Sequence, residues 1–376
     1  MIAPVGRRCK GAWALALLVQ FGVLSVPVRD HLRAASLLLR MNRAEGRLAH
    51  LYDTPITEED FALRGPEGTF RARMYRPADG APRRALVLAH GVHWRGIDER
   101  RLVPFARQLA RTGLVVVTPE LQALADYRIQ ASSVEELTVT VRHVARSPRV
   151  APGGVGLLGL SFAGGLALRA AAEPSCAGEV AFVLSLGGHD DLERVSHFLA
   201  TDELQTPRGV VRLRAHDYGL VVLMYAYAER FVPAEEVAPF RAAVREFLHE
   251  NRPEAERLGA RLQGVSGALF QRILAHDRAT LGPQVARELP SLRGAMDQAS
   301  PRGHLQRLRA PVYLLHGDHD DVIPPSESEF ASLELRGQVP THLLVTSAIS
   351  HVSVERRPTA GQQWAMLHFM AGVLGE

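Results

Sequence analysis

The chain has 376 residues, 47% of them hydrophobic and 22% charged, with a formal charge of +4. That composition and length support a full hydrophobic core and exclude a disordered or collagenous chain. The two cysteines, Cys9 and Cys176, exclude a disulfide scaffold, and neither stands in a CxxC spacing. The positive charge is local: residues 1–50 carry a net +6, which leaves the remainder at −2. The larger part therefore has no basic excess for phosphates, and no nucleic-acid partner is expected. Lys10 is the single lysine, so 43 of the 44 basic residues are arginine, a compositional bias rather than a binding signal.

Gly11 to Val28 is an 18-residue run without charge, preceded by Arg7, Arg8 and Lys10. It is just long enough to cross a bilayer core. It also has the basic and apolar regions of a signal peptide, but Ser25-Val26-Pro27-Val28 offers no A-x-A cleavage site. The expectation is an uncleaved single-span membrane anchor; a cleaved signal with a secreted or periplasmic product, and a buried core helix, are the other readings. Arg29, Arg33, Arg40, Arg43 and Arg47 fall within one arc of a helix. Such a stripe would lie along anionic headgroups or form a solvated face. Three basic residues before the span and five after it favour a cytoplasmic catalytic part, whereas a signal-like reading favours the opposite side.

From residue 54, strand-length apolar runs alternate with helical segments. Phe61–Leu63 and Phe70–Tyr75 form an opening antiparallel pair about Gly65-Pro66-Glu67-Gly68. Ala85–Ala89, Leu114–Thr118, Val155–Leu160 and Val180–Leu186 are short buried runs of the parallel type. Helices are expected between them at Glu99–Arg111, Ser132–Ala145 and Ala163–Ala172. This rhythm predicts an α/β fold with a doubly wound, mostly parallel sheet. It stops near Gly188. Asp190 to Leu308 reads as helices without a strand: Asp191–Ala200, Val210–Ala228, Pro233–Glu250 and Pro283–Met296, with Pro233 and Pro283 in first turns. Strands resume at Val312–Leu315 and Leu343–Val345, and Trp364–Leu374 is a final helix. The division is an anchor and basic juxtamembrane segment over 1–50 and one domain over 51–376, with a helical cap inserted at about 190–309.

The chemistry concentrates in three places. Val155 to Leu160 runs into Gly159-Leu160-Ser161-Phe162-Ala163 and at once into a helix. A nucleophilic serine on a strained strand-to-helix turn needs small residues two before and two after it. Ala163 stands where glycine is usual, a tolerable departure because alanine is small. The second place is Val312 to Pro324, a strand ending in His316-Gly317-Asp318-His319-Asp320-Asp321; the third is Leu343 to His351, a strand followed by a histidine. The order serine, aspartate, histidine, each after a strand, is that of a hydrolytic triad.

On these residues the chain from about 54 to 376 resembles the α/β-hydrolase superfamily, and within it the dienelactone-hydrolase and prolyl-oligopeptidase-like serine esterases. In those families the acid lies in an H-G-x-x-D-x-x-V/I-P-type turn. The resemblance therefore implies Asp320 as the acid, with Asp321 the runner-up and Asp318 too early. Ser161 would be the nucleophile and His351 the base. Leu86 to Val92 looks like the family's oxyanion strand and loop, which implies the Val92 amide, with the Phe162 amide, as oxyanion donors. The implied activity is cleavage of a carboxylic ester or related acyl bond in a small-molecule or lipid-like substrate. Triad chemistry needs no metal or coenzyme, so no cofactor is expected.

Other readings of the same residues stay open. Acyl transfer would use the same triad with another acceptor in place of water; a non-catalytic binding protein could use the same fold. A peptidase also stays open, although the sequence has no β-propeller-like repeat domain and no specificity-pocket signature. The His316, Asp318, His319, Asp320, Asp321 cluster could suggest a metal, but neighbours on one tight turn rarely converge on one ion. His90 and His316 are expected as structural hydrogen-bonders. His93 and Trp94 either line the pocket or belong to a plain loop. Asp190 and Asp191, after the Val180–Leu186 strand, could hold the acid but fit better as helix caps. Tyr218, Tyr225 and Tyr227 are either packing or a cap face over the site. An aspartate-nucleophile dehalogenase or epoxide hydrolase is excluded by serine at 161, and no phosphate-loop or dinucleotide fingerprint occurs.

Overall fold

In the computed structural model the described residues are 27–44, 46–176, 178–349 and 359–376. Eight strands form one sheet: β1 (Ile56–Gly65), β2 (Gly68–Pro77), β3 (Arg83–Ala89), β4 (Val115–Pro119), β5 (Val150–Leu160), β6 (Val180–Leu186), β9 (Val312–Gly317) and β10 (Thr341–Thr346), in the order β1-β2-β4-β3-β5-β6-β9-β10. A second, two-stranded sheet pairs β7 (Glu203–Thr206) with β8 (Gly209–Arg212). The β1–β2 hairpin turns between Gly65 and Gly68 and joins β4 antiparallel; the strands from β4 to β10 are parallel. β4 and β9 are buried along their whole length, as strands covered on both faces must be.

Because side chains alternate along a strand, each central strand feeds two cores. Val87, Val117 and Leu157 point to one face, under α3 (Ala131–Ala145), α4 (Phe162–Ala171) and the cap. Leu86, Val116 and Leu158 point to the other, under α1 (Val28–Met41), α2 (Leu102–Arg111) and α12 (Ala360–Gly375). The parallel sheet with helices on both faces follows the expected pattern.

The cap comprises α5 (Leu192–Thr201), the β7–β8 hairpin, α6 (Asp217–Ala226), α7 (Val237–Leu248), α8 (Arg252–Gly259), α9 (Gly264–Leu274) and α10 (Arg278–Ala299). α11 (Ser326–Glu334) follows β9 in the sheet domain. Two expectations change here. The hairpin occupies part of the segment read as an unbroken helix from Val210; four-residue strands are too short to stand out from helical periodicity. Pro283 and Pro290 lie inside the 22-residue α10 rather than at a helix start. α10 is held instead by its approach to α5, where a Cβ at Gly282 would stand 2.4 Å from the Ala200 carbonyl oxygen.

Residues 11–26 of the apolar run lie outside the described residues. No described helix is long and apolar enough to cross a membrane. The arginine stripe divides. Arg33 donates to the Leu374 and Thr112 carbonyls, and Arg40 to those of Ala49, Tyr52 and Gln108 and to the Ser36 hydroxyl. Both guanidinium groups are buried, so neither the headgroup reading nor the solvated-face reading fits them. Periodicity identifies a helix face, but not what covers it. Arg43 and Arg47 remain exposed.

Candidate active site

The C-terminal ends of β3, β5, β6 and β9 bring the chemistry-bearing loops together, the usual place for a site in an open α/β sheet. β5 ends at Leu160, and Ser161 caps α4 with φ 55° and ψ −134°. This backbone region is costly for a residue with a Cβ and persists only where its surroundings enforce it. Two of those surroundings are visible. The Ser161 N–H donates to the Leu186 carbonyl at 2.8 Å. The start of α4 also crosses β5 so closely that a Cβ at Gly159 would fall 2.0 Å from the Ala163 carbonyl oxygen. Glycine is obligatory at 159, whereas Ala163 fits, fully buried. Gly164 and Gly165 serve the next contact: Cβ atoms there would collide with Ser185, Gly188 and the His189 ring.

The loop after β3 lies against this turn. A Cβ at Gly91 would stand 3.4 Å from the Ser161 Cβ. His90 shapes the loop from beneath. Its Nε2 accepts the Leu121 N–H at 3.0 Å, which leaves Nδ1–H to donate to the Gly91 carbonyl at 2.8 Å. Burial lowers its pKa, in keeping with this neutral tautomer. Val92 is half-buried, and among the described residues nothing accepts from its N–H or from that of Phe162, the first residue of α4.

Asp320 sits on the loop after β9 and is 3% exposed. Its Oδ1 accepts the Val322 and Ile323 N–H groups at 3.0 and 2.9 Å. His316, fully buried, braces the same turn: Nε2–H donates to the Ile323 carbonyl at 2.8 Å, and Nδ1 accepts the Ser328 hydroxyl at 2.7 Å. Asp320 Oδ2 lies 3.6 Å from where a Gly187 Cβ would be, so the carboxylate stands beside the end of β6. Asp321 is half-buried and gives its carbonyl to the His216 N–H at 2.9 Å. His319 is exposed on the same loop, away from the buried His316. His351, the expected base, lies outside the described residues.

Asp190 and Asp191 turn away from this site into a buried ion network. Asp191 caps α5, accepting the Glu193 and Arg194 N–H groups, and pairs with Arg302. Asp190 pairs with Arg194 at 2.9 Å, and Arg194 also holds Glu327 at 2.6 Å. Burial, together with the Glu327 charge, pushes the Asp190 pKa up to about 7. Burial also raises that of Glu327. The adjacent His189 donates to the Ala299 carbonyl, and burial holds its pKa down at about 4.

Rings from the cap meet rings from the loops after β3 and β4. Trp94 lies 4.9 Å from His249, between ring centres, and His249 5.9 Å from Tyr127. Tyr127 meets Tyr218 edge-on at 6.5 Å, and Tyr218 meets His216 at 6.4 Å. Tyr225 is packing: it is fully buried, with its hydroxyl on Asp126 and Arg245. The sequence reading did not single out Tyr127, His216 or His249. Tyr127 lies in the connection after β4, beyond the short helix Gln122–Ala125, and no local signal marks it.

No protein-family model and no curated protein sequence matches the chain. Solved structures do. The uncomplexed Pyrococcus horikoshii acylaminoacyl peptidase is similar at TM-score 0.50 and 12% identity, over 86% of this chain and 41% of that one. An acylaminoacyl peptidase in complex with Z-Gly-Gly-Phe-chloromethyl ketone gives 0.50 and 12%, over 84% and 40%. The Pyrobaculum calidifontis esterase gives 0.48 and 20%, over 93% and 92%. The chain thus spans about two fifths of the peptidases' length. Strand order and the two likenesses at TM-score 0.50 agree: the chain has the α/β-hydrolase fold and, at the level of fold alone, resembles those peptidases.

Proposed function

We propose that the chain is a serine hydrolase that cleaves a carboxylic ester or related acyl bond, with Ser161 as nucleophile, His351 as base and Asp320 as acid. The observation that carries this reading is the backbone of Ser161, held at positive φ on a strand-to-helix turn against the Gly91 loop. A fold has little reason to maintain that strain unless the side chain must be presented. The buried Asp320 beside β6 supports the same reading.

The Ser161 hydroxyl attacks the substrate carbonyl as His351 takes its proton. Asp320 orients the imidazole and stabilises its charged form. The Val92 and Phe162 N–H groups hold the oxygen of the tetrahedral intermediate, each contributing about 3 kcal/mol. Collapse expels the alcohol with the proton from His351, and water repeats the sequence on the acyl-enzyme. The test is labelling with a fluorophosphonate, which needs no known substrate. Modification mapped to Ser161, and lost in His351→Ala, is the expected result. Folded protein that takes no label at Ser161 removes the assignment.

A further inference from the structure

The ring series described above links two functional loops. It begins at Trp94, two residues past Val92, and ends at His216, whose N–H is fixed to the Asp321 carbonyl beside Asp320. It therefore runs from the proposed oxyanion loop to the proposed acid loop. Tyr127 is its support: the side chain is buried and its hydroxyl donates to the Leu248 carbonyl at 3.0 Å. The other members keep accessible surface. Trp94 is 40% exposed, His216 is exposed, and His249 and Tyr218 are half-buried.

Tyr218 differs from the buried tyrosines nearby. The hydroxyls of Tyr127 and Tyr225 are held by protein groups, but no described residue shares a hydrogen bond with that of Tyr218. Burial raises its pKa, so the phenol remains a protonated donor. Burial also lowers the pKa of His249, which keeps that ring uncharged near neutral pH.

We propose that this ring series is the wall of a substrate subsite for a flat aromatic group, and that the Tyr218 hydroxyl donates a hydrogen bond to an acceptor carried on that group. The proposal rests on the serine-hydrolase reading for its chemistry, but its recognition part stands on the rings. An aromatic guest can meet these rings edge-on or offset, in the geometries they adopt with one another, whereas an alkyl chain of equal area gains only burial. A polar acceptor on the guest would take the place of water on a donor that no described residue holds.

Binding to Ser161→Ala protein tests this without turnover. Benzyl acetate and methyl phenylacetate place the ring on the alcohol and acyl sides; hexyl acetate and methyl hexanoate are the alkyl counterparts. Calorimetric titration is expected to show one aromatic ester binding at least tenfold tighter than its counterpart. Trp94→Leu should bring that ratio close to one. A 4-acetyl substituent on the preferred ring should tighten binding about tenfold further, and Tyr218→Phe should remove only that gain. Equal binding of aromatic and alkyl esters, or ratios untouched by both substitutions, would overturn the proposal. Aromatic preference in Ser161→Ala without turnover by the wild type would keep the subsite and remove the hydrolase reading. Turnover of these esters with no aromatic preference in binding would do the reverse.

Discussion

The Ser161 N–H and the Leu186 carbonyl, 2.8 Å apart, tie the turn of the proposed nucleophile to the end of the neighbouring strand. The next residue, Gly187, donates to the Leu315 carbonyl at 2.8 Å and flanks the Asp320 carboxylate. Two consecutive residues of β6 and its exit thus set the spacing of the proposed nucleophile and acid. Asp320→Asn keeps an oxygen for the Val322 and Ile323 amides but loses the charge that stabilises an imidazolium. It should lower kcat by roughly 10³–10⁴ with little change in thermal unfolding. Asp321→Asn should stay within a few-fold of wild type. Steady-state kinetics on any ester that the protein turns over separates the two; the reverse pattern would make Asp321 the acid.

Gly159→Ala places a methyl group against backbone atoms of Ala163 and Gly164 that cannot move without unwinding the start of α4. A loss of about 3 kcal/mol or more is expected in urea unfolding, or failure to fold. Ala163→Gly relieves no clash and adds a glycine to a first helical turn. It should cost about 1 kcal/mol or less.

Asp190 gives a pH dependence with a definite sign. Its pKa is raised in the folded protein, so between the ordinary carboxylate value and about 7 the native state binds the extra proton. Its contribution to stability is therefore present at low pH and lost as pH rises toward 7. His189, with a lowered pKa, acts in the opposite sense across part of that range, so the wild-type curve alone mixes the two. The comparison with Asp190→Asn isolates the carboxyl. The variant should be more stable than wild type at pH 8, by on the order of 2 kcal/mol or more, and nearly equal only below the ordinary carboxylate value, at about pH 3.5. Thermal unfolding at the two pH values checks this; a variant less stable at pH 8 would mean that the Arg194 pairing outweighs the burial cost.

Arg40 ties α1 to the segment that follows it and to α2 through buried carbonyls. Arg40→Ala removes the donors and leaves those carbonyls dry, at about 3 kcal/mol. Arg40→Lys should recover only part of this, because an ammonium group cannot reproduce the fork of contacts. Denaturant midpoints of the two variants test the order.

How much of this was legible in the sequence depended on whether the cause was local. The turn at Ser161 is specified within five residues, and the strands of the central sheet are short apolar runs bounded by turns. These could be read directly. The fixing of His216 on Asp321 and the approach of His249 to Trp94 join residues more than a hundred apart, and nothing in either neighbourhood specifies the partner. Arg33 and Arg40 show the same limit. Their periodicity marked one helix face, but a face destined for lipid, for water or for buried carbonyls has the same spacing. The β7–β8 hairpin failed for a different reason: Val210-Val211 next to a longer apolar helix merged with it.

The docking of α1 on α12 has a consequence for how the chain is made. Arg33 reaches the Leu374 carbonyl across a sequence separation of 341. During synthesis α1 emerges more than three hundred residues before α12, the helix it packs against. Until then the Arg33 donor that Leu374 accepts, and the apolar face that α12 covers, have no native partner, a long-range closure of the kind that slows folding and exposes chains to association. Whatever shelters α1 in that interval, whether a chaperone or a transient partner within the chain, must release it when α12 arrives.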